Sequence, residues 1–295
     1  MGTNIMPGTI YKISVDRSQN ATVSDLLCLA SGISKTKIKD AMTKGAVWIK
    51  KQNKQKRIRR ASTLPESGAV VELYYDEALL DIVPEKGTCI KDEKHYSVWF
   101  KPSGLMSQGT LYGDHASVLR QAELFFENKR PVFPVNRLDR ETAGLILLAH
   151  SKKAAAALSS LFQERRIKKT YLAMVKGHPG HMEDMGEISF SLDGKRALTR
   201  FRTIRHDPSK DVSLVDICLD TGRFHQIRRH FDMIGCPVMG DPRYGKGNKN
   251  KDGLKLFAHA LEFTCPITGK TKSYHENPAS FFQEGLTSPL SASTD

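Results

Sequence analysis

The apolar residues near the N-terminus recur every three or four positions. This spacing over Val23–Ala30 and again over Ile38–Met42 predicts two short helices. Ser34 stands where it can cap the second helix, and Gly32 and Gly45 stand where the two helices should end. We therefore expect a helical pair close to the start of the chain.

Other apolar runs are short or alternate with polar residues, which is typical of strands. The strands that this pattern predicts are Ala46–Ile49, Ala69–Tyr74, Leu145–Ala149, Thr170–Val175 and Ser213–Leu219. The run at Leu145–Ala149 has no polar member, so we expect a strand that is buried on both faces. Ser151 follows it and can cap a further helix, on which Leu158 and Leu161 share a face.

A last helix is predicted after Gly222. One face would hold four apolar residues, namely Phe224, Ile227, Phe231 and Ile234. At about 100° per residue, Arg228 borders this face while Arg229 points away from it. Because a partly buried guanidinium needs a compensating charge, Arg228 is expected to have a carboxylate partner.

Composition divides the chain into segments. Pro84 and Gly87 lie in a stretch of mixed charge between two strand patterns, which indicates a linker. The predicted divisions are an irregular leader (1–21), a small basic module (22–76), the linker (77–93), a large domain (94–285) and a disordered tail rich in Ser, Thr and Pro (286–295).

The charge of the chain points to a polyanionic partner. A net charge of +13 and a pI near 9.5 favour nucleic acid. The five cysteines are scattered and none forms a Cys-x-x-Cys pair, so we expect neither a disulfide framework nor a metal site, and a reducing cytoplasm fits best. No apolar run approaches the roughly 18 residues that span a membrane, so no membrane partner is expected.

Much of the positive charge lies in one segment. Between Lys35 and Arg60 stand eleven basic residues and one acid, Asp40. Two helices, a basic hairpin and a closing strand resemble the ribosomal protein S-four-type RNA-binding module, although Trp48–Lys51 replaces the usual Val-Asn-Gly turn. The candidate RNA contacts are Lys35, Lys37, Lys39, Lys50, Lys51 and Arg57. The alternative is that the run from Lys50 to Arg60 is a solvated loop.

The densest group of charges precedes the buried strand. The stretch Val135–Gly144 contains Arg-Leu-Asp-Arg-Glu-Thr and leads directly into Leu145–Ala149. A loop held by a rigid strand is a common place for chemistry, which makes Asp139 the candidate catalytic residue. Alternatively, Asp139 pairs with Arg137 or Arg140 and shapes a turn.

This stretch resembles the signature loop of the RluA-type pseudouridine synthases, His-Arg-Leu-Asp-x-x-Thr-Ser-Gly. Asn136 stands for the histidine and Ala143 for the serine, while the aspartate of the motif is kept as Asp139. Further blocks resemble the family in the same order. They are Val98–Leu105 with its Lys-Pro-x-Gly turn, the Lys-x-Tyr-x-Ala-x-Val strand at 169–175, the Leu-x-Thr-Gly-Arg-x-His-Gln-Ile-Arg-x-His segment at 219–230, Pro237–Gly245 and Leu256–Ala260.

The resemblance implies an α+β catalytic domain with a mixed, mainly antiparallel sheet. It implies an RNA pseudouridine synthase, an isomerase in which Asp139 is the nucleophile or the base, Tyr171 lies beside it and Arg228 pairs with it. No cofactor is implied. The substrate contacts expected around these residues are Asn136, Arg137, Arg140 and Leu256, the last as a wall of the uracil pocket.

The expected substrate is a flipped uridine in RNA, with Arg137 filling the gap that it leaves. The basic module favours large-subunit ribosomal RNA over transfer RNA, because a large folded RNA offers phosphates far from the target. We expect a cytoplasmic monomer. The alternative, motivated by Asn136 and Ala143, is a non-catalytic RNA-binding or ribosome assembly protein on a synthase scaffold. Mapping of pseudouridines in cells with and without the gene distinguishes the two.

Overall fold

The computed structural model describes residues 8–16 and 20–282, so the tail predicted at 286–295 lies outside the described residues. Contacts divide the chain into two compact units. The first runs to Glu85 and also includes Gln108–Glu127. The second contains Lys86–Ser107 and the residues from Asn128 onwards.

The described elements alternate between strands and helices. The strands are β1 (Thr9–Ser14), β2 (Val47–Lys51), β3 (Lys54–Arg57), β4 (Val70–Tyr75), β5 (Thr88–Asp92), β6 (Tyr96–Lys101), β7 (Phe133–Pro134), β8 (Ala143–Ala149), β9 (Lys168–Lys176), β10 (Gly186–Ile188), β11 (Thr199–Asp207), β12 (Val212–Leu219), β13 (Leu256–Thr264) and β14 (Thr271–His275). The helices are α1 (Val23–Ser31), α2 (Lys35–Thr43), α3 (Glu77–Leu80), α4 (Val118–Phe125), α5 (Lys152–Gln163), α6 (Gln226–Met233) and α7 (Ala279–Phe282). Within the described residues no helix has the length and apolar character needed to cross a membrane.

The first unit has a four-stranded antiparallel sheet in the order β1-β4-β2-β3. The helical pair predicted from the apolar spacing is confirmed as α1 and α2. Thr22 and Ser34 accept hydrogen bonds from backbone amides of their first turns, as helix caps do. The basic run after β2 forms the β2–β3 hairpin, so it is not a plain solvated loop.

Two predicted boundaries differ from the structure. The predicted irregular leader (1–21) contains β1, in which Tyr11 and Ile13 alternate with polar residues and pack on the core of the first unit. The predicted linker (77–93) contains α3 and β5. In addition, residues 108–127 belong to the first unit, where Asp114 forms a 2.5 Å ion pair with Arg59.

The second unit has a ten-stranded sheet with the path β10-β11-β12-β9-β13-β8-β6-β5, to which β14 adds at β13 and β7 at β8. Within the described residues β8 and β13 are the one parallel pair. The mixed, mainly antiparallel sheet is therefore confirmed. All seven residues of β8 are buried, as its unbroken apolar run predicts, and Ser151 caps α5.

Gly144 fixes how the loop of Asp139 enters β8. Its φ is 123°, in the region that favours glycine, and a Cβ there would lie 2.2 Å from the carbonyl oxygen of Ala258 on β13. Only a residue without a side chain lets the two strands pair at this point. The loop is thereby held close to the start of β13.

Candidate active site

A cleft of about 580 Å³ lies in the second unit. This volume falls within the roughly 300–1,000 Å³ of small-ligand pockets, so the cleft can take a nucleotide. Its walls come from the loop before β8 and from β9, α6 and β13. Six residues predicted for the site line it together, namely Asn136, Arg137, Asp139, Tyr171, Arg228 and Leu256.

The loop of Asp139 is anchored by a buried lysine. Lys101, at the end of β6, is fully buried. Its Nζ donates hydrogen bonds to the carbonyl oxygens of Pro102 (3.0 Å), Leu105 (2.7 Å) and Arg140 (3.1 Å). Burial lowers the pKa of this ammonium to about 7. Lys101 thus ties the residue next to Asp139 to the Lys-Pro-Ser-Gly turn.

Two serines complete this attachment. The Ser107 hydroxyl accepts a hydrogen bond from the Leu138 amide (2.9 Å) and donates one to the Leu138 carbonyl (2.7 Å). The Ser103 hydroxyl donates to the carbonyl oxygen of Glu141 at 2.7 Å. The backbone on both sides of Asp139 is therefore fixed by groups outside the loop, which sets the direction of its carboxylate.

Asn136 has a backbone partner of its own. Its Oδ1 accepts a hydrogen bond from the Leu147 amide at 2.9 Å, which joins the start of the loop to β8. The Nδ1 atom of a histidine could accept the same bond from a similar position. Asn136 therefore makes a loop-shaping contact that a histidine could also make. Ala143, the second departure, is a fully buried residue of β8.

Arg228 is the buried cation of the site, with 2% of its side chain exposed. The position predicted at the border of the apolar face is correct. Its shortest contacts are to Asp241, from Nε to Oδ2 at 2.7 Å and from Nη2 to Oδ1 at 2.9 Å. Nη1 lies farther from Asp139 Oδ2, at 3.4 Å, and from Glu141 Oε2, at 3.6 Å. Arg228 is thus shared among three carboxylates.

Asp241, to which sequence analysis gave no role, is fully buried beneath Arg228. Burial would raise its pKa, but the bidentate bond from Arg228 and the backbone amides of Arg243 and Tyr244 lower it below the usual value. Asp241 therefore stays ionised and holds the guanidinium in place. The Gly240-Asp241-Pro242 sequence was the available signal, but sequence does not tell a buried aspartate from a turn aspartate.

His225 is the second residue that sequence analysis missed. Its Nε2 lies 3.2 Å from Arg228 Nη1 and 3.6 Å from Asp139 Oδ2. Because an arginine can only donate, Nε2 must accept, which leaves Nδ1 to donate to the Tyr244 hydroxyl at 3.2 Å. Burial lowers the pKa of His225 despite the opposing effect of Asp139. A neutral imidazole thus lies beside Arg228.

Tyr171 is half-buried on β9 and lines the cleft. Burial raises the pKa of its hydroxyl well above the usual value, and the negative charge of Asp139 adds to this effect. The hydroxyl is therefore neutral near pH 7. The two predicted residues lie close enough to influence each other electrostatically.

One prediction for the last helix is wrong. Phe224 was placed on its apolar face, but α6 begins at Gln226 and Phe224 is 60% exposed, with its ring stacked on His225 at 3.7 Å. The helical spacing therefore does not extend to Phe224. Arg229 points away from the core, as predicted, and forms a bidentate pair with the exposed Asp193.

The other predicted contacts lie elsewhere. Arg140 is exposed, is not among the described residues that line the cleft, and donates from Nε to the Gly104 carbonyl at 3.1 Å.

Six predicted RNA contacts belong to the first unit. Of these, Lys39 and Lys50 are exposed without an ion pair in the described part of the chain, whereas partners bind Lys35 (Asp25), Lys37 (Glu77), Lys51 (Glu66) and Arg57 (Asp114).

Arg57 has mainly internal contacts. Its guanidinium lies 4.2 Å from the centre of the Trp48 ring and donates to the carbonyl oxygens of Gly45 and Thr110. These contacts support a structural role within the first unit and leave few donors for RNA.

Comparisons with known proteins identify the family. The RNA pseudouridylate synthase family model matches residues 95–233, a span that includes Asp139, Tyr171 and Arg228. The chain is 36% identical over 61% of its length, and over 65% of the relative, to ribosomal large subunit pseudouridine synthase D of Zymomonas mobilis. It is 34% identical over 63% of its length to the dual-specificity RNA pseudouridine synthase RluA of Haemophilus influenzae, of which it covers 90%.

The fold is similar to that of a solved structure, human RNA pseudouridylate synthase domain containing 1. The TM-score is 0.57 at 24% identity, with 70% of this chain and 92% of that chain covered. The chain therefore belongs to the RNA pseudouridylate synthase family, as an RluA-type isomerase that converts uridine to pseudouridine in RNA.

Proposed function

We propose that Asp139 is the catalytic carboxylate of this reaction, acting as nucleophile or as base at the ribose of a flipped uridine. The observation that carries the proposal is its setting. Asp139 lies in a nucleotide-sized cleft on an anchored loop, and its Oδ2 lies 3.4 Å from the buried Arg228. Within the described residues its Oδ1 has no hydrogen-bond partner and is available to react.

The reaction is an isomerisation. The bond from the ribose C1′ to N1 of uracil breaks, the base turns, and C1′ forms a bond to C5. The proton leaves C5 and one proton is gained at N1, so atoms and electrons balance without a co-reactant. Leu256, a wall of the cleft, supports the base while it turns.

Tyr171 is proposed to stack on the freed base and to help move the C5 proton. Its raised pKa argues against a standing phenolate base. The hydroxyl can instead accept the C5 proton while its own proton passes to solvent, and N1 takes up a proton from solvent, so Tyr171 ends the step unchanged. The exposed Arg137, two residues from Asp139, is proposed to fill the gap that the flipped uridine leaves in the RNA.

The test of the catalytic role is Asp139→Asn. The amide keeps the size of the side chain but is neither a nucleophile nor a base, so RNA binding should persist and product should be lost. Pseudouridine formation is measured by chemical sequencing of RNA incubated with each protein. Asp193→Asn, which changes an exposed aspartate, is the matched control and should keep full activity. Product at the normal rate from Asp139→Asn would contradict the assignment.

We further propose that the substrate is large-subunit ribosomal RNA. Two observations support this choice. A relative is named a ribosomal large subunit enzyme, and the first unit carries two exposed lysines, Lys39 and Lys50, that can contact RNA phosphates. Transfer RNA is the alternative. Another relative is named a dual-specificity RNA pseudouridine synthase, a name that does not restrict the substrate to one RNA. A cytoplasmic monomer is part of the same proposal.

The deciding experiment maps pseudouridines in cells with and without the gene. We expect sites in large-subunit ribosomal RNA to disappear. Loss of sites from transfer RNA alone would overturn the choice of RNA and leave the reaction intact. If no site disappears from any RNA and the purified protein makes no product, the non-catalytic reading motivated by Asn136 and Ala143 is favoured.

A further inference from the structure

A second cleft of about 600 Å³ adjoins the active-site cleft in the second unit. The two clefts share Arg165, Lys169 and the segment Leu219–Thr221 as lining. A molecule in one cleft can therefore continue into the other. None of the functions described so far uses this second cleft.

The second cleft is strongly basic. Its basic lining residues are Arg165, Arg166, Lys168, Lys169, Arg196 and Arg200, and its acids are Asp220 and Glu262. Both acids have partners of their own, since Asp220 lies 3.4 Å from Arg200 and Glu262 lies 3.5 Å from Lys168. Arg166 is paired with Glu164 at 2.7 Å.

Three cations of this lining remain uncompensated. Within the described part of the chain, Arg165, Lys169 and Arg196 form no ion pair. Arg165 and Arg196 are exposed, so water solvates them. Lys169 is different because it is half-buried, and burial lowers its pKa although Cys218 and Asp220 oppose the shift.

The ammonium of Lys169 lies where the two clefts meet. Its Nζ is 3.8 Å from the position that a Cβ on Gly222 would take, and Gly222 lines the active-site cleft. A desolvated cation without a partner gains most from an anion that enters beside it. If a flipped nucleotide occupies the adjoining active-site cleft, the nearest anion of the substrate is a phosphate of the RNA backbone.

We propose that the second cleft binds the single-stranded ribose-phosphate chain next to the target uridine, with Lys169 and Arg165 at the phosphate where the clefts meet and Arg196 farther along. This inference rests on the proposed function of the first cleft. It assigns these residues to substrate binding and not to the chemical steps.

The energy of such contacts has a measurable signature. Each phosphate contact to a single strand contributes a slope of about −0.7 to a plot of log Kobs against log salt concentration. The loss of one contact should therefore weaken binding about fivefold at 0.1 M salt and flatten the slope by about 0.7. A cation that is only part of the packing would change neither quantity.

The first experiment measures binding of a fluorescein-labelled single-stranded uridine dodecamer by anisotropy over a range of salt concentrations. The variants are Lys169→Met and Arg196→Gln, and the control is Arg166→Gln, which removes a charge from the same lining that already has an acidic partner. We expect both variants to flatten the slope and the control to leave it unchanged. Equal slopes in all four proteins, or an equal loss in the control, would overturn the proposal.

Folding defects are separated from binding defects by one further variant, Lys169→Arg, and by the exposed position of Arg196. Lys169→Arg keeps the charge and should restore the slope, whereas Arg196 is exposed and its replacement should not affect unfolding. With the RNA identified by pseudouridine mapping, Lys169→Met should raise KM and leave kcat nearly unchanged. A fall in kcat at unchanged KM would contradict a binding role. Because the dodecamer assay needs no turnover, its failure leaves the Asp139→Asn result unaffected, and the reverse also holds.

Discussion

Replacing Asp241 by asparagine should leave Arg228 buried without its closest carboxylate. Asparagine has nearly the same shape, but its amide group turns a donor towards an arginine that can only donate. One of the two short hydrogen bonds, at 2.7 Å and 2.9 Å, is lost together with the negative charge. Asp139 and Glu141 remain near Nη1, at 3.4 Å and 3.6 Å, and cannot replace a bidentate partner.

The magnitude follows from burial. The exposed fractions of the two side chains are 2% for Arg228 and 0% for Asp241. Removing one partner of such a buried pair typically costs about 3–5 kcal/mol of the free energy of unfolding. For a unit of this size, about 2–4 °C per kcal/mol then gives a fall in Tm of roughly 6–20 °C. Pseudouridine formation should fall as well, because Asp241 positions the arginine that contacts Asp139.

The same helix provides an internal control. Arg229 forms a bidentate pair with Asp193 at 2.8 Å and 3.1 Å, but 68% of the Asp193 side chain is exposed. An exposed pair contributes about 0.2–1 kcal/mol. Two double-mutant cycles, with Arg→Gln and Asp→Asn changes in each pair, compare the coupling energies by urea unfolding. Similar coupling energies for the two pairs would refute the reasoning from burial.

Three further predictions concern residues around Asp139. Tyr171→Phe should keep RNA binding, since the ring is retained, and should slow single-turnover pseudouridine formation by about 10²–10⁴ if the hydroxyl relays the proton; an unchanged rate would reduce Tyr171 to packing. Asn136→His should change the rate and Tm little, because a ring nitrogen can accept the bond from Leu147; loss of activity would show a role beyond loop shape. Burial lowers the pKa of Lys101 from 10.5 to about 7, so between these values the unfolded chain binds a proton that the folded chain does not. The stability of the natural protein relative to Lys101→Met should therefore rise as pH increases from 7 to 10, and unfolding curves showing no such rise would contradict the shift.

Local patterns in the sequence predicted much of the fold. The helices capped by Thr22, Ser34 and Ser151 depend on residues within one turn, so their spacing was sufficient. The membership of 108–127 in the first unit was not predictable in this way. It depends on contacts such as Arg59 with Asp114, between residues far apart in sequence. The alternation of Tyr11 and Ile13 in β1 is too short to predict a strand by itself, and the strand is stabilised by pairing with the distant β4.

The site shows the same difference between local patterns, which the sequence reveals, and contacts between distant residues, which it does not. Asp139, Tyr171 and Arg228 were chosen as candidates because they lie in motifs that resemble a known family, and they line one cleft in the structure. Asp241 contacts Arg228, and His225 contacts both Arg228 and Asp139, and these contacts appear only when the side chains are placed. A lysine in the turn after a strand gave no sign that it would be buried against three carbonyl groups, so Lys101 could not be identified as the anchor of the loop.

The arrangement around Arg228 explains how Asp139 can be both oriented and reactive. A carboxylate that accepts short bonds on both oxygens is stabilised as the anion and is a weaker nucleophile or base. Here the short bonds go to Asp241, while Asp139 has a contact of 3.4 Å on one oxygen and a neutral His225 beside it. The guanidinium is held by Asp241, and its remaining charge orients Asp139, the carboxylate that we propose to be catalytic. An arginine paired with Asp139 alone would orient the carboxylate but would also make it less reactive. The buried Asp241 takes the short hydrogen bonds of Arg228 instead, which gives a physical reason for its position.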